Sequence, residues 1–254
     1  MRDNFSVTLI VPCYNEVANL QKGVLDKIGN YVTRHRYFTE VLIVDDGSSD
    51  GSRDIIRNYA KDFPKFRLIE NPHQGKAFAI ITGIREAKGS VVMFSDIDLA
   101  TPIEESEKLI AAYRKGSQIV IGSRSAAREG APLTRKILAF GLITLRGLIL
   151  GLRNLYDTQC GFKLFETASA KSIIEKLQVF RNGKTINGSS VSAGFDLEFL
   201  FVARKIGCRI AEVPVIWRHV ETKNVNFITD SIETLRDMFM MRYYYLMGRY
   251  DFDA

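Results

Sequence analysis

No run of eighteen or more uncharged apolar residues occurs anywhere in the chain, so the sequence offers no candidate membrane-spanning helix. The first residues, Met1-Arg2-Asp3-Asn4-Phe5, pass directly into a strand pattern without the apolar core of a signal peptide, which reads as a cytoplasmic protein. Cysteine is scarce: Cys13, Cys160 and Cys208 are odd in number and widely spaced, which excludes a disulfide framework and a CxxC zinc pattern. The P-loop spacing, the Gly-x-Gly-x-x-Gly fingerprint and the His-Glu-x-x-His motif are all missing, so ATPase, dinucleotide oxidoreductase and zincin chemistry are set aside. The three histidines, His35, His73 and His219, show no ligand spacing, and solvated or structural roles are expected of them. Low-complexity tails and internal repeats are absent too.

What is present is an ordinary globular composition, 46% hydrophobic and 25% charged over 254 residues, enough for one substantial core and one domain. The net charge of +6 admits nucleic acid, an anionic membrane or phosphorylated substrates as partners. Lys and Arg thicken between Arg124 and Arg153, beside apolar residues rather than in a basic tail. That placement favours an anionic surface or substrate over nucleic acid.

Short Val/Ile-rich runs recur at Val7 to Val11, Val41 to Val44, Phe66 to Ile69, Val91 to Phe94 and Ile119 to Ile121, with helical patterns between them. Continuous apolar runs of this kind suit strands covered on both faces, and their alternation with helices predicts an α/β fold with a mostly parallel central sheet. A short strand at Phe162 to Phe165, a helix from Asp196 to Ile206, a strand at Ile210 to Trp217 and a final helix from about Phe227 to Met247 are expected in the second half. Residues 1 to about 125 read as the nucleotide-binding half, and about 126 to 254 as the acceptor half.

Ligands collect beyond the carboxyl ends of such strands, and the residues there are unusually polar: Pro12-Cys13-Tyr14-Asn15-Glu16, Asp45-Asp46-Gly47-Ser48-Ser49-Asp50, Ser95-Asp96-Ile97-Asp98 and Gly122-Ser123-Arg124. Asp96 and Asp98, two apart in an extended segment, would point the same way and share one hard cation, Mg²⁺ or Mn²⁺, with substrate phosphates completing its shell. A solvated turn is the alternative for an isolated Asp-x-Asp. Adjacent buried carboxylates at Asp45 and Asp46 require donors, which a nucleobase imide or ribose hydroxyl would supply. Ser49 or Asp50 is read as the cap of a helix starting near Arg53.

Together, Val11-Pro12-Cys13-Tyr14-Asn15-Glu16, Val44 to Gly51, Asn71-Pro72-His73-Gln74-Gly75-Lys76 and Asp96-Ile97-Asp98 resemble the family 2 glycosyltransferases of GT-A fold. Gly122-Ser123-Arg124 and Asp157 to Phe165 are similar to the branch that acts on polyprenyl or dolichyl phosphates. Phe195 to Leu200 and Ala211 to Trp217 extend the match, so it covers roughly residues 6 to 220. The resemblance implies inverting transfer of a hexose, usually glucose from UDP-glucose, to a lipid phosphate. It further implies that Pro12, Tyr14, Glu16, Asp46, Lys76, Asp96, Ile97 and Asp98 bind the nucleotide-sugar, Asp98 and Asp96 holding the metal.

A phosphate monoester is already largely dianionic at neutral pH, so its transfer needs cationic positioning more than a general base. Ser123, Arg124, Arg128 and Arg135 are the candidates for the acceptor phosphate. Asp157 would orient an Arg or the sugar, with Asp157 and then Asp196 as alternative bases; a helix cap is an equal reading of Asp196. Two other activities stay open: transfer to a saccharide hydroxyl, and a non-catalytic nucleotide-sugar-binding subunit. The basic, apolar segment Pro132 to Leu152 and the last helix read equally as amphipathic interfacial helices on an anionic leaflet, as core helices with snorkelling basic ends, or as a dimer interface.

Overall fold

The runs become strands because their alternate residues have two separate cores to enter. In β1 (Val7–Cys13) every residue is buried; Leu9 and Val11 join one apolar cluster while Ile10 joins the other. β4 (Val91–Phe94) and β5 (Ile119–Ser123) divide in the same way, with Val92, Phe94, Ile119 and Ile121 on the Ile10 side and Val91, Met93 and Val120 opposite. Since successive side chains point to opposite faces, a sheet covered on both sides demands unbroken apolar sequence.

The computed structural model describes residues 4–124, 141, 143–181, 193–218 and 227–252. The remaining strands are β2 (Phe38–Asp46), β3 (Phe66–Asn71), β6 (Lys163–Glu166) and β7 (Ile210–Pro214). The described helices are α1 (Val17–Gln21), α2 (Val24–Arg34), α3 (Ser52–Asp62), α4 (Lys76–Glu86), α5 (Ser106–Arg114), α6 (Thr167–Lys176), α7 (Ala193–Lys205) and α8 (Phe227–Leu246), and residues 143–149 are also helical. The sheet order is β3-β2-β1-β4-β6-β5-β7, with β6 antiparallel to both neighbours and every other pairing parallel. This is the α/β architecture expected, with a mostly parallel central sheet.

Four strands run further than their apolar residues, β3 among them through Glu70-Asn71. β1 continues through Pro12-Cys13, β2 through Asp45-Asp46 and β5 through Gly122-Ser123, because backbone pairing persists past the change to polar side chains, as in Asp45↔Glu70 and Cys13↔Asp45. β6 begins at Lys163, not Phe162, and β7 stops at Pro214. Since β6 runs backwards, its first residue lies at the rim where its neighbours end: Lys163 pairs with Phe94 and Ile121. α7 starts at Ala193, so Asp196 sits in its first turn and is not its cap. Gly51, not Ser49 or Asp50, occupies the cap position of α3.

Candidate functional site

The loops after β1 and β2 are stitched together by the polar residues between Asp45 and Ser52. Asn15 N–H donates to Ser48 Oγ (2.9 Å), Glu16 N–H to Ser52 Oγ (2.9 Å) and Val17 N–H to Asp50 Oδ2 (3.0 Å). In return, Asn15 Oδ1 accepts from Ser49 N–H at 2.8 Å. These bonds hold Asn15 in a left-handed conformation (φ 52°) and fix the Tyr14-Asn15-Glu16 loop above the sheet. The serines and Asp50 are therefore scaffolding for the neighbouring loop, a role their own sequence context does not announce.

The paired aspartates turn inward. Asp45, fully buried, accepts from Gly47 N–H and Ser48 N–H (3.0 Å each) and from Arg53 Nε (2.6 Å), while its Oδ1 has no hydrogen-bond partner in the protein. Asp46 is 2% exposed; its Oδ1 accepts from Gln74 N–H at 2.9 Å and its Oδ2 from Gly75 N–H at 2.7 Å and from His73 Nδ1 at 2.8 Å. Thus, Asp45 Oδ1 excepted, the donors that two adjacent carboxylates require come from the protein itself.

Asp96 and Asp98 lie beyond β4, but not in extended chain. Residues 97–98 form a turn, Leu99 has φ 50°, and Leu99 N–H bonds to the Asp96 carbonyl at 3.2 Å. The turn, not strand alternation, places both carboxylates at the rim. Ile97 between them is 5% exposed and belongs to the core, so its side chain contributes packing. Pro12 is likewise buried within β1.

The Lys76 ammonium, at the first turn of α4, sits directly on Asp96 Oδ1, beside the acidic turn rather than deeper among the β2 and β3 loops. Burial works against its charge, but Asp96, Asp196 and Asp98 outweigh it and raise its pKa. Burial, aided by the charge of Asp96, raises the pKa of Asp98. A buried carboxylate next to another carboxylate is short of positive charge, as a cation ligand would be. Among the described residues no three His, Cys, Asp or Glu side chains cluster as a complete metal cage. Two hard oxygens at an open rim fit Mg²⁺ or Mn²⁺ that takes its other ligands from phosphates and water.

Gly161 backs the acidic turn. A Cβ built there would collide with the Asp96 carboxylate, so only glycine admits this approach. Gly161→Ala should displace Asp96 from Lys76 and cost most of the enzyme's turnover while the melting temperature shifts by only a few degrees. Parallel kcat and thermal-melt measurements check this.

A second polar cluster follows β5. Arg124 meets Asp157 through two parallel bonds, Nε to Oδ2 and an Nη to Oδ1 at 2.7 Å each, and its backbone N–H adds a third at 2.8 Å. Asp157 is 3% exposed, and its loop is held by Glu212 of β7, which accepts from Tyr156 N–H (2.6 Å) and Asp157 N–H (2.8 Å). Burial opposes the Arg124 charge, yet Asp157 more than compensates and its pKa is raised. Its guanidinium also lies 5.9 Å from the Trp217 ring centre. Ser123 is buried at the end of β5.

Asp196 is claimed by Lys163, whose Nζ is 2.6 Å from Asp196 Oδ1 and 5.0 Å from the centre of the Phe94 ring. A 1%-exposed lysine at a strand start was not anticipated as a site residue; its place before an apolar pair, Leu164-Phe165, is the only local signal. Arg146, within the basic, apolar segment Pro132 to Leu152, is 6% exposed and donates to Thr158 Oγ1 (2.8 Å) and the Leu155 carbonyl. Arg128 and Arg135, with residues 132–140 and 142 of the Pro132 to Leu152 segment, lie outside the described residues.

Residues 8–174 match the family model described as "Glycosyl transferase family 2". The chain is 35% identical over 255 residues to the dolichyl-phosphate beta-glucosyltransferase ALG5A of Trichomonas vaginalis, covering 95% of this chain and 74% of that one. The dolichyl-phosphate beta-glucosyltransferase of Saccharomyces cerevisiae is 29% identical, with 96% and 76% covered. Among solved structures, glucosyl-3-phosphoglycerate synthase from Mycobacterium tuberculosis, in complex with Mn²⁺, UDP and glucosyl-3-phosphoglycerate, superposes with a TM-score of 0.66 at 17% identity, covering 94% of this chain and 81% of that one. Five loops of one GT-A rim, an acidic turn beside a lysine and a matched span of this length have one common account: the chain belongs to glycosyl transferase family 2, as a GT-A glycosyltransferase that uses a nucleotide-sugar donor.

Proposed function

We propose that the protein transfers glucose from UDP-glucose to a polyprenyl or dolichyl phosphate, with inversion, at the cytoplasmic face of a membrane. The observation that carries this reading is the Arg124–Asp157 pair next to an apolar cavity. The cavity, of about 240 Å³, is lined by Ile143, Leu148, Leu152, Leu155 and Tyr156, the last adjacent to Asp157. A fixed guanidinium beside an apolar hollow suits a lipid phosphate: planar donors for the anion, hydrocarbon surface for the chain behind it. The names of the relatives support the same acceptor.

On the donor side, Asp98 and Asp96 would hold the cation, which when bound neutralises charge on the departing nucleoside diphosphate. Lys76 adds a positive charge at the same place and orients Asp96. Glu16 and Tyr14 are held over the β1–β2 edge by the serine bonds, where ribose and base would lie. On the acceptor side, Arg124 positions the phosphate and Asp157 keeps the guanidinium in one orientation. Both aspartates that could act as bases face cations, Asp157 on Arg124 and Asp196 on Lys163. That arrangement disfavours a base mechanism and supports a nucleophile that arrives as a dianion. Transfer to a saccharide hydroxyl, which needs a base, is the weaker reading.

Contact with the membrane is proposed through exposed apolar residues. On α8, Met238 and Met241 are buried while Ile232, Phe239, Tyr243 and Leu246, with Met247 just beyond the helix, are exposed, and Leu148 and Tyr156 add apolar surface by the cavity. Their helical spacing makes one stripe, with Arg236 and Arg242 on the same helix for anionic headgroups. Among the described residues no helix is long and apolar enough to cross a membrane. One domain spanning residues 1–254, with its donor half before about residue 125, is proposed on the continuity of the sheet.

The test is a matrix of radiolabelled nucleotide-sugars against polyprenyl phosphates, with and without Mn²⁺, followed by lipid extraction and anomer analysis. Label from UDP-glucose in a β-linked lipid phosphate is expected. Label confined to a saccharide would sink the reading. Arg124→Lys should raise the KM for lipid phosphate at least tenfold and leave the KM for the donor within twofold, because one point charge replaces a fork.

A further inference from the structure

Lys163 places an ammonium where charge is costly. It opens β6 with a side chain 1% exposed, and alternation along the strand turns it to the same face of the sheet as Phe165. That face is covered by α7. The Phe165 and Phe199 rings stack with centroids 4.5 Å apart, Phe94 meets Phe165 at 5.6 Å, and Phe195 meets Phe199 at 5.9 Å. This packing brings the first turn of α7 over the start of β6, so that Lys163 Nζ donates to Asp196 Oδ1 and lies over the Phe94 ring. The helix N-terminus adds partial positive charge of its own, and Asp196 meets positive charge from two directions.

Stability gives no reason for the pair. A buried ion pair is commonly no more stabilising than apolar side chains of the same volume, and its neighbours here are aromatic. The burial is also one-sided: the lysine side chain is 1% exposed and the aspartate 19%. A counter-ion kept only for the lysine would be shut in with it, whereas this one stays open to the rim. The rim beside it is that of the acidic turn. Lys163 pairs across the sheet with Phe94, the last residue of β4 before Ser95-Asp96. Asp196 is also felt at Lys76, where burial opposes the ammonium charge and Asp96, then Asp196, raise its pKa. With the diphosphate at Asp96, Asp98 and Lys76, the hexose joined to it lies against the neighbouring side chains. A hexose offers hydroxyl donors, and a carboxylate is their matching acceptor. Asp96 is taken by Lys76 and Asp157 by Arg124, while Asp196 is braced from below by Lys163.

We propose that Lys163 is a positioning residue for the donor sugar: from inside the sheet it holds the Asp196 carboxylate at the rim, where Asp196 accepts a hydrogen bond from a hydroxyl of the transferred hexose. This deepens the proposed reaction and rests on it for the position of the diphosphate.

Calorimetric titrations with UDP and with UDP-glucose, in Mg²⁺ and without lipid phosphate, test it on the parent protein, Lys163→Met, Asp196→Asn and the double variant. Methionine keeps the length of the side chain and removes its charge. The double variant leaves no unpaired charge inside, so the test stands even where Lys163→Met fails to fold. Each variant should bind UDP-glucose roughly tenfold more weakly than the parent and UDP within twofold of it. The loss in the double variant should equal that in Asp196→Asn, because a lysine acting through Asp196 has nothing to position once the carboxylate is gone. Unchanged UDP-glucose affinity in Asp196→Asn would overturn the proposal. Additive losses in the double variant would overturn it too, since Lys163 would then act by another route, as would equal losses for UDP and UDP-glucose, which mean a damaged rim. A parent protein that binds neither nucleotide would remove the donor reading itself and the inference with it, a result seen before any variant is compared.

Discussion

Asp98→Ala is expected to lower turnover about a thousandfold, roughly 4 kcal/mol of transition-state stabilisation, while the protein melts close to the parent temperature at neutral pH. Two opposing local effects make the fold indifferent. The substitution removes the bond from Ala100 N–H to Asp98 Oδ1 at 3.0 Å. It also relieves a carboxylate whose pKa is raised by burial and by the charge of Asp96. An acid with a raised folded pKa supports the fold while protonated and loses that support as pH rises through the folded value, so above that value removing the Asp98 carboxylate costs the fold little. Loss of activity without loss of stability is the pattern of a group kept for ligand charge. Binding of UDP should be strengthened by Mn²⁺ in the parent and not in the variant, and calorimetry with and without the ion reads this directly. A melting temperature lower by ten degrees or more would mean that Asp98 is a structural turn residue.

The strands and their order of appearance were legible because each apolar run serves two cores, as Leu9 and Ile10 do in β1. The reversal of β6 was not: antiparallel and parallel strands have the same short composition, and only pairing with β4 and β5 distinguishes them. That reversal is what carries Lys163 to the rim and to Asp196, a meeting 33 positions apart in sequence. The acidic turn was visible as a motif, but the reading of Asp96 to Asp98 as extended chain missed the turn at residues 97–98 and the entry of the Ile97 side chain into the core. Asp46 shows the same limit. Adjacent carboxylates announced a need for donors, yet which donors depends on the backbone N–H groups of Gln74 and Gly75, invisible in residue types.

Glu198→Ala should be the most destabilising single substitution at a site remote from the rim, by roughly 4 kcal/mol. Glu198 is 0% exposed on α7, and its carboxylate accepts four bonds: Gln178 N–H (2.7 Å), Val179 N–H (2.8 Å) and the Tyr250 hydroxyl (2.6 Å) on Oε1, and Phe180 N–H (2.9 Å) on Oε2. Three successive backbone donors and a buried phenol lose their acceptor together when the side chain is cut back, and an unpaired buried donor costs about 1–3 kcal/mol. Burial and the neighbouring Glu198 charge raise the Tyr250 pKa, so the hydroxyl stays protonated and remains a donor. Glu198→Gln separates the contributions. Its carbonyl can keep the three bonds at Oε1, but its amide then faces Phe180 N–H, donor against donor, so a loss of about half the alanine value is expected. Urea unfolding should order the proteins parent, Gln, Ala in midpoint. The same clamp ties α7, which carries Asp196, to the chain after α6 and to the segment beyond α8, so loosening it should also lower turnover in Glu198→Gln at temperatures where the variant remains folded. Unchanged kcat in a destabilised Gln variant would show that α7 keeps Asp196 in place without this anchor.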